Sequence, residues 1–285
     1  MAEKKCQINF NMHGPKCPLC KSNDTALVAE INKRPENETD FKIVKYHREI
    51  RVCNSCGVFY NQHDYYLGDI YCGLYNKATY NNKIKERFDM IMALPPTKSD
   101  NKGRARRIVA FVKKYWKYVS PQDLSIFDIG SGLCVFLAEM KKYGFKTYCI
   151  DPDPLSIRHA KENVYVNYGW IGRIEEFFQE IKFDIITFNK VLEHVTDPIG
   201  VLAKARGLLN CKGLVYIELP DATSTDYINS EEFNSEEFFI EHNFIFTLQS
   251  TKFLIKKAGF KVLKLDRIHE PSGKYTIFAF IQPLP

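Results

Sequence analysis

At 285 residues, with 45% apolar and 26% charged side chains, the chain is long enough to bury one large core and to carry a small appendage. No run approaches the roughly 18 apolar residues that would span a bilayer, and the opening MAEKKCQINF lacks the apolar centre of a secretory signal, so no membrane association and a cytoplasmic address are expected. The net charge of +6, from 40 Lys and Arg against 34 Asp and Glu, leans weakly toward acidic partners and does not by itself indicate nucleic acid.

The nine cysteines of a chain read as cytoplasmic imply reduced thiols and, where they pair, a metal. CPLC at 17–20 and CNSC at 53–56 are two Cys-x-x-Cys pairs separated by 32 residues, with strand-like TALVAEI and FKIVKYHREIRV between them. Each pair forms a tight knuckle with two thiolates on one side of a turn, and two knuckles complete a tetrahedral site. Cys17, Cys20, Cys53 and Cys56 are therefore the expected ligands of a structural Zn2+ in a ribbon over residues 1–60. That segment is too small to fold on apolar burial alone, and four thiolates leave no open position for catalysis. Cys6, Cys72, Cys134, Cys149 and Cys211 lack such spacing and read as small buried apolar residues.

From 61 to 102 the text is rich in Tyr and Asn and reads as a substrate-side segment and linker; NNKIKERFDMIMAL suggests a short helix stopped by Pro95 and Pro96, and TKSDNKG a polar linker. Residues 103–285 form the expected main domain. It opens on a helix, RARRIVAFVKKYWKYV, whose Ile108, Val109, Phe111, Val112, Tyr115, Trp116 and Val119 recur at helical spacing, while its basic face is expected to be solvated. SIFDI, KTYCID, YVNYGW, FDIITFN and GLVYIELP then read as strands, with helical FLAEMKKYG, PLSIRHAKEN and DPIGVLAKARGLL between several of them. This alternation predicts an α/β fold with a parallel sheet covered on both faces. An irregular insert follows, then the helix LQSTKFLIKKAG, and then FKVLKLDRI and KYTIFAFIQ, joined by HEPSGK as an antiparallel pair.

In an open parallel sheet the ligand sits beyond the carboxyl ends of the strands, where the first strand turns into its helix. FDIGSGLCVF at 127–136 has Gly130 and Gly132 at that turn, but Val135 stands where a dinucleotide loop would place its third glycine, and no Lys-Ser or Lys-Thr of a phosphate loop follows. Asp128 precedes the turn, and Asp151 ends the second strand where a carboxylate accepts both hydroxyls of a ribose. A ligand with a ribose and no phosphate fits, and S-adenosylmethionine is such a ligand.

Residues 125 to 282 resemble a class I SAM-dependent methyltransferase, motif after motif in order. FDIGSGLCVFLAEMKKYGFKTYCIDPDP is similar to the family's glycine loop and ribose carboxylate, FDIITFNKVLEHVTDPIGVLAKARGLLNCKGLVYIELPD to its fourth and fifth strands, and EHNFIFTLQSTKFLIKKAGF to its late helix. Cys134 replaces the last glycine of the usual G-x-G-x-G. The resemblance implies a Rossmann-like sheet with an antiparallel last strand, beside the small zinc ribbon. It also implies that Asp128, Gly130, Ser131 and Gly132 line the methionine end, that Asp151 with Pro152 holds the ribose, that the region of Ile174 covers adenine, and that Asn189 and Lys190 flank the methionine moiety.

Methyl transfer from a sulfonium requires an aligned nucleophile, exclusion of water and, for a hydroxyl or carbon acid, a base. His194 in VLEHV, and Glu241 with His242 in IEHNF, are the candidates, His242 paired with Glu241 as base and His194 orienting the acceptor. A ribbon joined to this pattern resembles the methyltransferases of nucleotide-linked sugars, which implies a small-molecule or glycan acceptor methylated on O, N or C. Zinc-ribbon rRNA methyltransferases are the alternative, since a ribbon and a basic helix could grip phosphates. Against RNA stands the acidic insert with Asp226, Glu231, Glu232, Glu236, Glu237 and Glu241, expected at the substrate mouth. A module that holds SAM without turnover is the third reading.

Overall fold

The computed structural model describes residues 15–65, 83–117, 119–223, 233 and 235–285. Cys6 and Cys72, the tyrosines of 66–82, and Asp226, Glu231 and Glu232 lie outside the described residues.

Two sheets organise the described residues. The small one has the order β1-β2-β3-β9, from β1 (Thr25–Ile31), β2 (Arg48–Cys53), β3 (Phe59–Gln62) and β9 (Phe244–Ile245). The large one comprises β4 (Ser125–Ile129), β5 (Lys146–Asp151), β6 (Tyr168–Ile171), β7 (Phe183–Asn189), β8 (Leu209–Pro220), β10 (Phe260–His269) and β11 (Tyr275–Pro283), in the order β10-β11-β8-β7-β4-β5-β6. Strands β4 through β8 pair in parallel, while β11 runs antiparallel to both β8 and β10. This is the expected α/β architecture with its antiparallel last strand. Its central strands are buried along nearly their whole length because helices cover both faces. At the edge, β10 alternates Lys and Asp with apolar residues and leaves much of its length exposed, as an edge strand does.

Among the described residues the α-helices are α1 (Ile84–Ala93), α2 (Asp100–Tyr115), α3 (Val135–Lys142), α4 (Pro154–His159), α5 (Pro198–Arg206) and α6 (Leu248–Lys257). Local chemistry sets their starts. Ser99 caps α2 by accepting the Lys102 amide, Asp197 caps α5 with Pro198 in its first turn, and Thr247 and Ser250 form a capping box on α6. The stretch TKSDNKG, read as linker, already belongs to α2 from Asp100, because Ser99 supplies the cap three residues before Lys102.

The basic face of α2 is not wholly solvated. Arg104 and Arg107 turn inward onto Glu218, which is fully buried in β8: Arg104 Nε donates to Oε2 at 2.7 Å and Arg107 Nη2 to Oε1 at 2.7 Å. Arg107 also reaches Glu270 at 3.0 Å and the Tyr216 hydroxyl at 3.0 Å. Helical periodicity counts an arginine as polar; it does not reveal a carboxylate more than a hundred residues away that makes burial favourable. Cys134 and Cys149 are buried as expected, whereas Cys211 is exposed at the outer end of β8.

Strand β9 ties the two sheets together. Phe59 and Tyr60 of β3 pair with Ile245 and Phe244, and the buried Arg48 donates to the Phe238 carbonyl at 2.6 Å. Asn61 donates to the carbonyls of Phe239 at 3.0 Å and His242 at 2.8 Å, and Glu38 accepts the Ile240 amide at 2.7 Å. One apolar cluster runs continuously from Cys17, Val58 and Tyr60 through Phe244 and Phe246 to Leu219 and Phe188 of the large sheet.

Candidate functional site

The order of the large sheet sends the chain from β4 to β5 and β6 on one side and then across to β7 on the other. The crevice between the ends of β4 and β7 is therefore the topological switch point, where open sheets of this kind bind ligands. Asp128, Asp151 and Asn189 all sit at these strand ends.

The loop after β4 is built for close approach. Gly130 has φ +69°, and a Cβ there would lie 2.8 Å from Val191 Cγ2, so only glycine lets the loops after β4 and β7 cross. Cys134 adopts the left-handed conformation, φ 59°, at the start of α3 without a side-chain cap, taking the position of the family's third glycine. The Gly132 amide donates to Asp151 Oδ2 at 2.8 Å and the Asp153 amide to Oδ1 at 2.9 Å, which aims the carboxylate across the crevice. Each oxygen retains a second lone pair. Burial pushes Asp151 up to about 6 against the opposing hydrogen bond from Gly132. Asp128 accepts from Thr187 Oγ1 at 2.6 Å and Asn189 Nδ2 at 2.7 Å, and burial raises it to about 7 despite these bonds. Lys190 has φ 60°, its amide donates to the Glu218 carbonyl at 3.2 Å, and burial lowers the pKa of its ammonium.

These residues fit the cofactor that the resemblance implies. Among the described residues, a Cβ at Gly132 would meet no atom within 4 Å, so the loop opens onto space there, and the buried Ser131 Oγ and Asn189 Oδ1 have no hydrogen-bond partner. Pro152 follows Asp151 at the rim, and Ile174 is buried in the turn after β6.

The candidate catalytic groups converge from two elements. His194 lies in the loop after β7 and His242 just before β9; their rings stand 4.6 Å apart at 61°. His194 Nδ1 is 3.0 Å from the Glu241 carbonyl and His242 Nδ1 is 2.7 Å from the Glu237 carbonyl. A carbonyl only accepts, so each Nδ1 carries the proton and Nε2 is the acceptor nitrogen of each neutral ring. Burial holds His194 down to about 4 and His242 well below the ordinary histidine range, keeping both neutral. The partner that orients His242 is thus the Glu237 backbone, where a pairing with Glu241 was expected. Glu241 is itself buried, which pushes its carboxyl up to about 7, and Glu237 is buried as well, while Glu236 pairs with Lys274 at 2.6 Å. The acidic insert therefore does not present all its described carboxylates to an acceptor.

Glu193 was missed by the sequence reading. It is fully buried, neither carboxylate oxygen has a hydrogen-bond partner among the described residues, and burial raises it to about 7. The signal available was its place beside His194 in VLEHV, but only the fold brings one of its carboxylate oxygens within 4.8 Å of a ring nitrogen of each histidine.

The four thiols of 17–20 and 53–56 are assembled by their knuckles. Lys21 and Gly57, each directly after the second cysteine of a pair, have φ 66° and 75°, and the Cys20 amide reaches Cys17 Sγ at 3.4 Å. Cys17 and Cys56 sulfurs are 3.8 Å apart, Cys20 and Cys53 sulfurs 3.5 Å, and all four lie within 4.8 Å of one another. Tetrahedral zinc with bonds of about 2.3 Å separates its sulfurs by about 3.8 Å, so the cluster is compatible with a zinc ribbon.

The profile of a family described as methyltransferase domain matches residues 101–265, more than half of the chain. The chain belongs to this methyltransferase-domain family. Among curated proteins it is similar to a ubiquinone biosynthesis O-methyltransferase of Histophilus somni, 33% identical over 112 residues, covering 35% of this chain and 47% of the relative. A ribosomal protein L11 methyltransferase of Alkaliphilus oremlandii is 27% identical over 143 residues, covering 48% and 45%. The chain thus spans about half the length of the curated relatives it matches. Among solved structures, Burkholderia thailandensis 1,6-didemethyltoxoflavin-N1-methyltransferase, which holds S-adenosylhomocysteine, aligns over 87% of this chain and all of that one at TM-score 0.54 and 14% identity. The magnesium protoporphyrin IX methyltransferase of Synechocystis PCC 6803, with bound SAH, aligns at TM-score 0.55 and 11% identity, over 73% and 97%. The methyltransferase fold and its mixed sheet are thereby shown; among the described residues, no helix is long and apolar enough to cross a membrane.

Proposed function

We propose that the chain transfers the methyl group of S-adenosylmethionine to a small polar acceptor, in the first place an oxygen of a sugar, a nucleotide sugar or a glycan precursor. The observation that supports this most is the crevice at the ends of β4, β5 and β7, where the opened glycine loop meets the aimed carboxylate of Asp151. The bound cofactor supplies an electrophilic methyl on a sulfonium. Asp151 accepts the ribose hydroxyls, and Ser131, Asn189 and the Gly132 region receive the methionine end. Pro152 and Ile174 border the adenine side, and Lys190 stands beside the methionine moiety.

On the acceptor side, neutral His242 takes the hydroxyl proton at Nε2, its tautomer held by Glu237, while His194, Glu241 and Glu193 shape the pocket around it. Two curated relatives of this chain are named O-methyltransferase or protein methyltransferase, which favours acceptors other than nucleic acid. Burial of Arg104 and Arg107 against Glu218 also removes two charges from the basic helix face on which an RNA reading relied. Zn2+ at Cys17, Cys20, Cys53 and Cys56 keeps the small sheet folded, and through Asn61 and Arg48 that sheet holds the backbone of 238–242 in place.

The test is calorimetry with SAM, followed by transfer of labelled methyl to a panel of sugar nucleotides, sugars and phenols. Micromolar SAM binding and label in a sugar product are expected; failure of the folded chain to bind SAM would refute the reading.

A further inference from the structure

We propose that the end of the large sheet opposite the crevice is a docking surface for a single-stranded nucleic acid, with lysines on its phosphates and exposed rings under its bases. The placement follows from the topology. Strands β4 to β8 are parallel, so their amino ends share one end of the sheet with the carboxyl ends of the helices that return to them, while the crevice occupies the other. Strand β10 is antiparallel to β11, which is antiparallel to β8, so β10 starts at this same end. Contacts stitch the end into one surface. Lys141 Nζ donates to the Val164 carbonyl at 3.1 Å, the Lys182 ammonium donates to the Gly207 carbonyl, and Arg206 Nη2 donates to the Leu284 carbonyl at 3.4 Å.

The charge of this end is strongly positive. Helices α2, α3, α5 and α6 each close their last turn on two basic residues. The helix dipole accounts for those cations. It does not account for Lys146, Lys182, Lys212 and Lys261, all exposed where strands begin. Lys142 is answered by Glu139 at 2.7 Å, and Asp123, Glu162 and Glu180 are exposed carboxylates at this end, whereas Glu175 and Glu176 follow the crevice end of β6. Lysines so gathered repel one another in the free molecule, and a polyanion laid across them relieves that repulsion.

Unburied rings supply the second half of the surface. Tyr165, Tyr168 and Phe178 are each more than half exposed, and each has an ammonium over its ring: Lys141 at 5.7 Å from the Tyr165 centroid, Lys161 at 5.1 Å from Tyr168 and Lys204 at 4.6 Å from Phe178. A ring beside a cation offers a base a stacking face and its phosphate a charge, and only an unpaired strand has bases free to use it. A bilayer fits this face less well. The helices meet it with their ends and keep their apolar sides packed inward, so no amphipathic helix among the described residues lies along it. The surface is across the sheet from the glycine loop, so the strand is held there and not methylated.

The purified full chain is titrated into a fluorescein-labelled single-stranded RNA of about 20 nucleotides and mixed sequence, with anisotropy read at about 50 and about 200 mM salt. Micromolar binding is expected at the lower salt, and neutralisation of about four phosphates makes it about 50-fold weaker at the higher. Lys146→Glu combined with Lys261→Glu weakens binding by about tenfold or more at fixed salt. Tyr165→Ala combined with Phe178→Ala does the same for the single strand and leaves a duplex of equal length unaffected. SAM calorimetry on the same samples reads the crevice separately and stays at the wild-type value in both variants. In the wild-type chain, bound RNA shields Lys146 and Lys161 from acetylation read by mass spectrometry, which needs no variant. Absence of RNA binding, binding without salt dependence, tighter binding of the duplex, full retention of RNA by both folded variants, no shielding of the lysines, or preference for phosphatidylserine vesicles over RNA overturns the inference.

Discussion

Gly130→Ala tests whether the two loops at the crevice are as tightly crossed as they stand here. The new methyl group meets two penalties. The backbone at φ +69° is left-handed, which disfavours a residue with a Cβ by about 1–2 kcal/mol. The Cβ also falls 2.8 Å from Val191 Cγ2, and forcing an extra carbon into a packed site costs about 1–3 kcal/mol. Stiffening of the unfolded chain returns about 0.4–1 kcal/mol. The net expectation is a loss of about 3 kcal/mol, read from the urea midpoint at unchanged slope. Only the second penalty involves Val191. Val191→Ala alone removes two partly buried methyl groups and is destabilising, yet in the double variant it relieves the clash, so the two changes together cost about 1–3 kcal/mol less than their sum. Additivity within about 0.5 kcal/mol would show that the loops do not touch and would refute the account of why glycine stands at 130.

The remaining predictions concern charge and metal. Asp151→Ala weakens SAM by about 2–3 kcal/mol in calorimetry, the scale of hydrogen bonds to a charged group. Because burial raises the Asp151 carboxyl to about 6, SAM affinity of the wild-type chain falls as pH drops below about 6, where the protonated acid no longer accepts both hydroxyls. Glu218 lies below its ordinary value of 4.5: burial alone would raise it, but Arg104 and Arg107 hold it down to about 2. A depressed carboxylate contributes stability that is present above pH 4.5 and lost as pH falls toward about 2; Glu218→Gln therefore destabilises by about 3 kcal/mol at neutral pH, and the deficit in melting experiments shrinks on acidification through that window. Cys53→Ser lowers the zinc content by one ion per chain in elemental analysis and lowers methyl transfer with it, since Asn61 on the small sheet holds the His242 carbonyl; unchanged zinc content would remove the cysteines as ligands.

Much of this protein was legible in the amino-acid order because its determinants are local. Buried strands read as apolar runs, caps and glycines lie within a few residues of the turns they make, and each Cys-x-x-Cys knuckle is closed by its own backbone. The glycine loop with Asp128, and Asp151 ending the second strand, likewise follow from strand-turn-helix order alone, which is why the methyltransferase fold and its crevice could be anticipated. The tertiary structure decided what depends on meetings between distant residues. Arg104 reads as a solvated charge until Glu218, 114 residues on, is packed against it. His242 reads as half of a Glu-His pair until the Glu237 carbonyl takes its Nδ1 proton and His194 is brought against its ring. Glu193 reads as a surface acid until β9, anchored on the small sheet, closes over it. Sequence spacing reports the helical and strand periods of nearby side chains; it carries no record of which buried charge will be left facing which partner, because that is set by desolvation only after the two sheets have joined.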